Sequence, residues 1–293
     1  MLRTSAARRG LRPLDPDRSD LDAYLAMAEE FRARRVLDIG CGTGVFALLL
    51  AGRGIEVVGV EPAGASLDVA RAKPGGERVR WIEGDATALP PLRADLATMT
   101  ANVAQAIADP DSWHGTLRGA HAALRPGGRL VFETRDPARR AWEGWTPEES
   151  YQTADIPGVG PVESRHRVTG VDGPLVTFRT TYVFAADGAV LTSDSTLRFR
   201  EREEIEADLA RHGYETVEVR DAPTGRGGSS SSSRAARTRR LPVWTSRCPA
   251  GSLPGSICWS PATARTVRPS PLRSGWCGTV TRSACGPSPA RGR

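Results

Sequence analysis

Four polar residues recur at the ends of short apolar runs. Asp38, Glu61, Asp85 and Asn102 are separated by 23, 24 and 17 residues, about one strand-helix repeat each. Beside the first of them, three glycines stand at every second position in Val36-Leu-Asp-Ile-Gly-Cys-Gly-Thr-Gly44. Glycine accepts positive φ and has no Cβ, so such a turn lets bare backbone approach a ligand closely. Carboxylates and an amide at neighbouring strand ends add hydrogen-bond acceptors for hydroxyl, amino or ammonium groups. Cys41 lies inside the turn with no base in sequence reach, so it reads as a small packing residue rather than a nucleophile.

The elements that must position these residues follow from the pattern. Val36–Ile39 reads as a strand, the glycines as a tight turn, and Val45–Ala51 as a helix. Ile55–Val60 is a buried strand ending at Glu61, and residues 63–73 are helical until Pro74-Gly75-Gly76. Val79–Ile82 is a third strand before Gly84-Asp85-Ala86, and Asp95–Thr100 is a fourth. Ser112–Leu124 is a helix stopped by Pro126-Gly127-Gly128, and Arg129–Thr134 is a fifth strand. Strands alternating with helices imply an α/β fold, a Rossmann-like doubly wound and mostly parallel sheet. In such a sheet, ligands bind beyond the carboxyl ends of the strands, where all four polar positions fall.

The pattern changes after the fifth strand. Between 162 and 200 there are three extended runs, separated by Asp172-Gly173 and Asp187-Gly188. Val176, Phe178, Thr180, Tyr182 and Phe184 alternate with period two. This predicts an inserted antiparallel three-stranded meander. Residues 201–212 return to helix, and Glu215–Val219 forms a sixth strand. The expected organisation is an N-terminal arm (1–20), a core (21–134), an inserted cap (135–200), a return of the core (201–221) and a basic, low-complexity, disordered tail (222–293).

The glycine spacing selects among cofactors. A dinucleotide fingerprint needs Gly-x-Gly-x-x-Gly, but Val45 stands where its third glycine would fall, and no P-loop Lys-Ser/Thr follows. The stretch resembles motif I of the class I S-adenosylmethionine (SAM) dependent methyltransferases. Leu124-Arg-Pro-Gly-Gly-Arg-Leu-Val-Phe-Glu133 is similar to their turn into the fifth strand. The resemblance covers about residues 20–221 and implies SAM as cofactor. It assigns Glu61, followed by Pro62, to the ribose hydroxyls, and Asp85, followed by Ala86, to the adenine side. Gly40, Cys41, Gly42 and Gly44 then line the methionyl and ribose portions, and Asp38 acts through backbone amides or water. Asn102 and Val103 face the methionyl end and the acceptor.

That resemblance implies methyl transfer to a small molecule whose identity is open. Alternatives are a SAM-binding protein without activity and, less favoured, a nucleic-acid methyltransferase. His166, Glu133 and Asp136 are candidate bases if the acceptor carries a proton, with His166 also readable as an ordinary strand histidine. Trp142 and Trp145 could stack on an acceptor or cover a core edge. Asp85 has a less favoured reading as a helix N-cap, and Asn102 could equally be one.

Composition divides the chain. Residues 1–221 carry 28 Lys and Arg against 34 Asp and Glu, a net −6; residues 222–293 carry 12 Arg and no acid. A negative core does not favour nucleic acid as partner. No apolar run reaches the ~18 residues of a membrane span, and the N-terminus lacks the apolar segment of a secretory signal. Cys41 is the only cysteine before residue 222, which fits a cytoplasmic protein. The tail has three readings. It could be a basic arm for phosphates, or Cys248, Cys258, Cys277 and Cys285 could bind metal, although they lack Cys-x-x-Cys spacing. Alternatively it is translated out of frame. One codon set for Gly228–Ala236, shifted by two bases, reads Glu-Phe-Val-Phe-Leu-Ala-Arg-Arg, a buried strand. On that reading the chain lacks a seventh strand and leaves the sixth unpaired.

Overall fold

The computed structural model describes residues 18–156, 158–222, 241–247 and 281–283. They fall into two compact units. One holds the described residues of Asp17–Arg139 and Arg198–Cys277, and the other contains Arg140–Leu197.

The first unit is built on a seven-stranded sheet. Its elements, in chain order, are α1 (Asp22–Glu30), β1 (Arg35–Ile39), α2 (Val45–Gly52), β2 (Glu56–Glu61), α3 (Gly64–Ala72), β3 (Val79–Glu83), β4 (Ala94–Met99), α4 (Val103–Ala106), α5 (Pro110–Ala123) and β5 (Leu124–Glu133). The second unit supplies β6 (Gln152–Ile156), β7 (Gly160–Asp172), β8 (Leu175–Phe184) and β9 (Val190–Arg198). The chain then returns through α6 (Arg202–Arg211), β10 (Glu215–Ala222) and β11 (Leu241–Arg247), and β12 (Thr281–Ser283) joins the second sheet.

The strand order of the large sheet is β10-β11-β5-β4-β1-β2-β3. β3, β2, β1, β4 and β5 run parallel. The order reverses between β1 and β4, which opens a crevice at their carboxyl ends. Alternate residues face opposite helix layers. Leu37, Ile39, Met99, Leu130 and Phe132 pack with Trp113 and Leu117 of α5 and with Ile205 and Leu209 of α6. Val36, Val57, Leu96 and Val131 pack with Leu25 and Ala28 of α1 and with Phe46 and Leu50 of α2. α5 starts two residues earlier than the sequence suggested. Asp109 caps it by accepting from the Ser112 N–H at 2.8 Å, with Pro110 at the first helical position.

Two expectations need correction. The three expected strands of the inserted meander are present as β7, β8 and β9, but the sheet is larger: its order is β12-β9-β8-β7-β6, with a short strand at Gln152–Ile156 and a fifth from the C-terminal segment. β6 carries one buried position and three exposed ones, so it gave no apolar signal. Nor is the seventh strand missing. β11 lies antiparallel between β10 and β5, pairing Val219 with Trp244 and Val131 with Thr245. The sixth strand is therefore not an unpaired edge of the kind expected, and 222–293 is not wholly without structure. The strand went unread because the short apolar stretch of Leu241-Pro-Val-Trp-Thr-Ser-Arg is interrupted by a proline and followed by polar residues. Pro242 is tolerated because the β5 ladder starts one residue later, at Val243 and Glu133. Gly228–Ala236 and the four tail cysteines lie outside the described residues.

A chain ending at Ala222 would strip the shared partner from β5 and β10. Each kcal/mol lost lowers Tm by about 2–4 °C in a domain of this size, so thermal unfolding should show a drop of at least about 5 °C. An unchanged Tm would mean that β11 adds nothing to the sheet.

Candidate functional site

The glycine turn after β1 folds as expected. Gly40, Gly42 and Gly44 all have positive φ, at 69°, 56° and 76°. The Gly40 and Cys41 N–H groups both donate to the Val60 carbonyl, at 2.8 and 3.1 Å, which ties the turn to the end of β2. Lys73, the only lysine, donates to the Thr43 carbonyl at 2.8 Å and so holds the turn from α3. The third glycine has a packing reason as well. A Cβ at Gly44 would lie 2.5 Å from the Trp81 ring, which also fills the space beside Gly59. Trp81 is itself fixed by donating to the Gly76 carbonyl.

Glu61 is 1% exposed. One carboxylate oxygen accepts from the Gly42 N–H and the other from the Ala63 N–H, both at 3.0 Å. The Gly84 N–H donates to the Glu61 carbonyl, which joins the end of β3 to the same point. Asp38 is buried on the α1/α2 side of β1 and accepts from the Thr98 hydroxyl at 3.2 Å. Burial raises its carboxyl from 3.8 to about 7; the Thr98 bond opposes this and the nearby Glu61 charge adds to it.

Asp85 takes the capping role. It is exposed and accepts from both the N–H and the hydroxyl of Thr87 at the start of a single 3-10 turn, Ala86–Ala88. Helix α5 comes against this turn at Gly115 and Gly119, where a Cβ at Gly119 would overlap the Ala86 carbonyl oxygen. Asn102 does not cap with its side chain. It has φ 65° and follows Ala101 at φ 55°, two consecutive left-handed non-glycine residues. Its N–H donates to Glu133 at 3.0 Å, while its Oδ1 is buried with no partner among the described residues. Val103 is buried beneath it.

The structure thus brings Asp38, Gly40, Cys41, Gly42, Gly44, Glu61, Pro62, Asp85, Ala86, Asn102 and Val103 to the carboxyl ends of β1–β4 within one unit. Cys41 is buried, and its sulfur would lie 3.0 Å from a Cβ on Gly59, in keeping with a packing role. His166 belongs to the other unit. Its Nδ1 pairs with the Thr180 hydroxyl at 2.9 Å, its ring meets the Phe178 edge, and burial lowers its pKa. Trp145 packs on the same Phe178. Asp136 accepts from the Ala138 N–H and pairs with Arg139 at 3.4 Å.

Several contributors were not read from the sequence. Tyr24 on α1 is 2% exposed and lies beside Glu133. Burial raises its phenol well above the ordinary value, and the Glu133 charge raises it further. The spacing of Leu21, Tyr24, Leu25 and Ala28 was the available helix signal. Gly115 and Gly119, four apart on α5, were the signal for the close helix contact. Arg200, 3% exposed, donates to the Ala104 and Ile107 carbonyls at 2.8 and 2.7 Å and stacks on Trp113. Burial lowers its pKa to about 10, with Arg198 contributing further. Trp113 is held in turn by donating to Asp208 at 2.9 Å.

The site residues fit a nucleoside-linked cation. The positive-φ turn admits close approach, Glu61 offers both oxygens, and the buried Asn102 Oδ1 awaits a donor. Residues 36–128 match the methyltransferase domain family. The cypemycin N-terminal methyltransferase of a Streptomyces species is 34% identical over 119 residues, 40% of this chain and 49% of that protein. A ubiquinone biosynthesis O-methyltransferase of Ruegeria pomeroyi is 34% identical over 118 residues, 39% of this chain and 46% of that protein. The chain thus spans about half the length of these curated relatives. Among solved structures, the CcbJ methyltransferase of Streptomyces caelestis has a TM-score of 0.60 at 24% identity, covering 79% of this chain and 90% of that one. SAM-bound CalS10, an amino pentose methyltransferase of Micromonospora echinaspora, has a TM-score of 0.55 at 24% identity, covering 84% and 96%. These structures share the fold.

Two outcomes test this geometry. Gly119→Ala should cost about 1–3 kcal/mol in chemical denaturation, because the Ala86 carbonyl has to move; a neutral effect would show that the turn adapts freely. Asp38 has a raised folded pKa, so its stabilising contribution is complete below about pH 4 and is lost as pH rises through about 7. The isosteric Asp38→Asn keeps an acceptor for Thr98 and should be the more stable protein above pH 7, by up to about 4 kcal/mol. Parallel stability profiles for the two proteins between pH 4 and 8 would contradict this.

Proposed function

We propose that this chain, whose residues 36–128 belong to the methyltransferase domain family, is a SAM-dependent methyltransferase acting on a small molecule. The observation that carries the reading is the Glu61 carboxylate, buried at the end of β2 and bonded to the Gly42 and Ala63 amides beside the sheet's switch point. Glu61 would hold the ribose hydroxyls, with Pro62 beside it, and Asp85 with Ala86 the adenine side. Gly40, Cys41, Gly42 and Gly44 would line the methionyl and ribose portions, with Asp38 behind them. Asn102 and Val103 would face the methionyl end and the acceptor.

When bound, SAM supplies a methyl group made electrophilic by its sulfonium. The residues of this chain then have mainly to bind and orient, since alignment for in-line attack supplies much of the rate. A small-molecule acceptor is supported by the net −6 of residues 1–221, which disfavours a polyphosphate partner. Relatives whose names specify ubiquinone biosynthesis and an amino pentose point the same way. No helix among the described residues is long and apolar enough to cross a membrane. A reducing, cytoplasmic setting is supported by Cys41 being the one cysteine in the sequence of residues 1–221.

Calorimetric titration with SAM, with its demethylated product S-adenosylhomocysteine (SAH) and with NAD provides the test. SAM and SAH should bind and NAD should not. Glu61→Ala should weaken both by about tenfold or more, the loss expected for charged hydrogen bonds. Binding of NAD in preference to SAM would refute the reading, and equal affinities for wild type and Glu61→Ala would remove Glu61 from the ribose site.

A further inference from the structure

Glu133 ends β5 and is 8% exposed. Its Oε1 accepts the Asn102 N–H, and no Arg, Lys or His among the described residues forms an ion pair with it. Among the other buried acids, Asp208 bonds Trp113 and lies 3.9 Å from His114, while Asp38 and Glu61 lie at the glycine turn after β1. A buried carboxylate without a cation is costly, so such a group is expected to receive one from a ligand.

Polar atoms without partners converge on the same strand end. The Tyr24 hydroxyl, on a residue 2% exposed, lies beside the Glu133 carboxylate. The Asn102 Oδ1 is buried and unsatisfied one residue from the loop strain at Ala101. Gln105 is fully buried; its Oε1 accepts from the Arg135 N–H at 3.2 Å, while its Nε2 has no partner.

We propose that Glu133, Tyr24 and Asn102 form an ammonium-binding subsite for the methyl acceptor, so that the acceptor is an amine. The proposal rests on the methyl-transfer reading above. An ammonium brings three N–H donors, and these residues offer a carboxylate, a phenol oxygen and an amide oxygen, three acceptors. The unpaired Gln105 amide is a donor and suits a hydroxyl or carbonyl next to the amine. The carboxylate can also take the proton that must leave: RNH3+ and Glu133 carboxylate become RNH2 and Glu133 carboxylic acid, which frees the nitrogen lone pair. The cofactor's own ammonium is the other cation available. The glycine turn that would face it follows β1, however, and β5 lies two strands away, about 10 Å at the usual strand spacing.

The test uses the full chain saturated with SAH and two probes of equal size, cyclohexylammonium and cyclohexanol, in calorimetry. Wild type should prefer the ammonium by about tenfold or more. Glu133→Gln keeps a carbonyl oxygen for the Asn102 N–H but removes the charge; it should abolish that preference while leaving SAH affinity within about threefold. Tyr24→Phe should reduce the preference by about threefold. Wild type that binds SAH but does not discriminate between the probes overturns the proposal and leaves the methyltransferase reading standing. A tenfold loss falling on SAH instead of the amine would assign Glu133 to the cofactor's ammonium and equally overturns it. Failure of wild type to bind SAH at all would remove the underlying reading.

Discussion

The Glu61 carboxylate is the tie on which the site depends. A charge at 1% exposure is tolerable only where hydrogen bonds replace water, and the Gly42 and Ala63 amides do so. Those two bonds set the glycine turn of β1 against the end of β2, and the Glu61 carbonyl brings in Gly84 and the end of β3. The same burial acts on Asp38, whose carboxyl rises to about 7 partly because Glu61 is charged. The charge at the turn therefore rests on Glu61, a sensible neighbour for a cationic cofactor.

The other side of the crevice is held differently. After β4 the chain passes through two left-handed residues, Ala101 and Asn102, which cost energy outside glycine. The bonds that offset this come from three elements. Glu133 on β5 receives the Asn102 amide, Gln105 accepts from Arg135, and Arg200 caps the last carbonyls of α4 while stacked on Trp113. Arg200 lies just after the inserted sheet in the chain, so the return of the chain to the core contributes to the shape of the loop after β4.

Much of this was legible from residue types. The three glycines, the acids at Asp38, Glu61 and Asp85, and Asn102 mark strand ends because an apolar run that stops at a polar residue has left the core. Their spacing then requires one helix between each. The less visible parts share a physical cause. α1 carries its apolar face at helical spacing beside charged residues, so no run stands out. β6 is made by ladder bonds more than by apolar burial, and ladder bonds leave no mark on composition. Asp85 and Asn102 looked alike as cap residues, yet one side chain caps and the other is left with a buried, unpaired oxygen.

By itself, then, the sequence determined a doubly wound sheet, a glycine turn open to close approach, and which polar residues arrive at the strand ends, since all of these follow from local pattern and chain reach. Tertiary structure decided what those residues do. Trp81 and the Gly115–Gly119 contact position the turns after β1 and β3, β11 occupies the slot between β5 and β10, and α1 brings Tyr24 to Glu133. Each depends on packing between segments far apart in the chain, where fit and hydrogen-bond partners, rather than any residue's own preference, set the outcome.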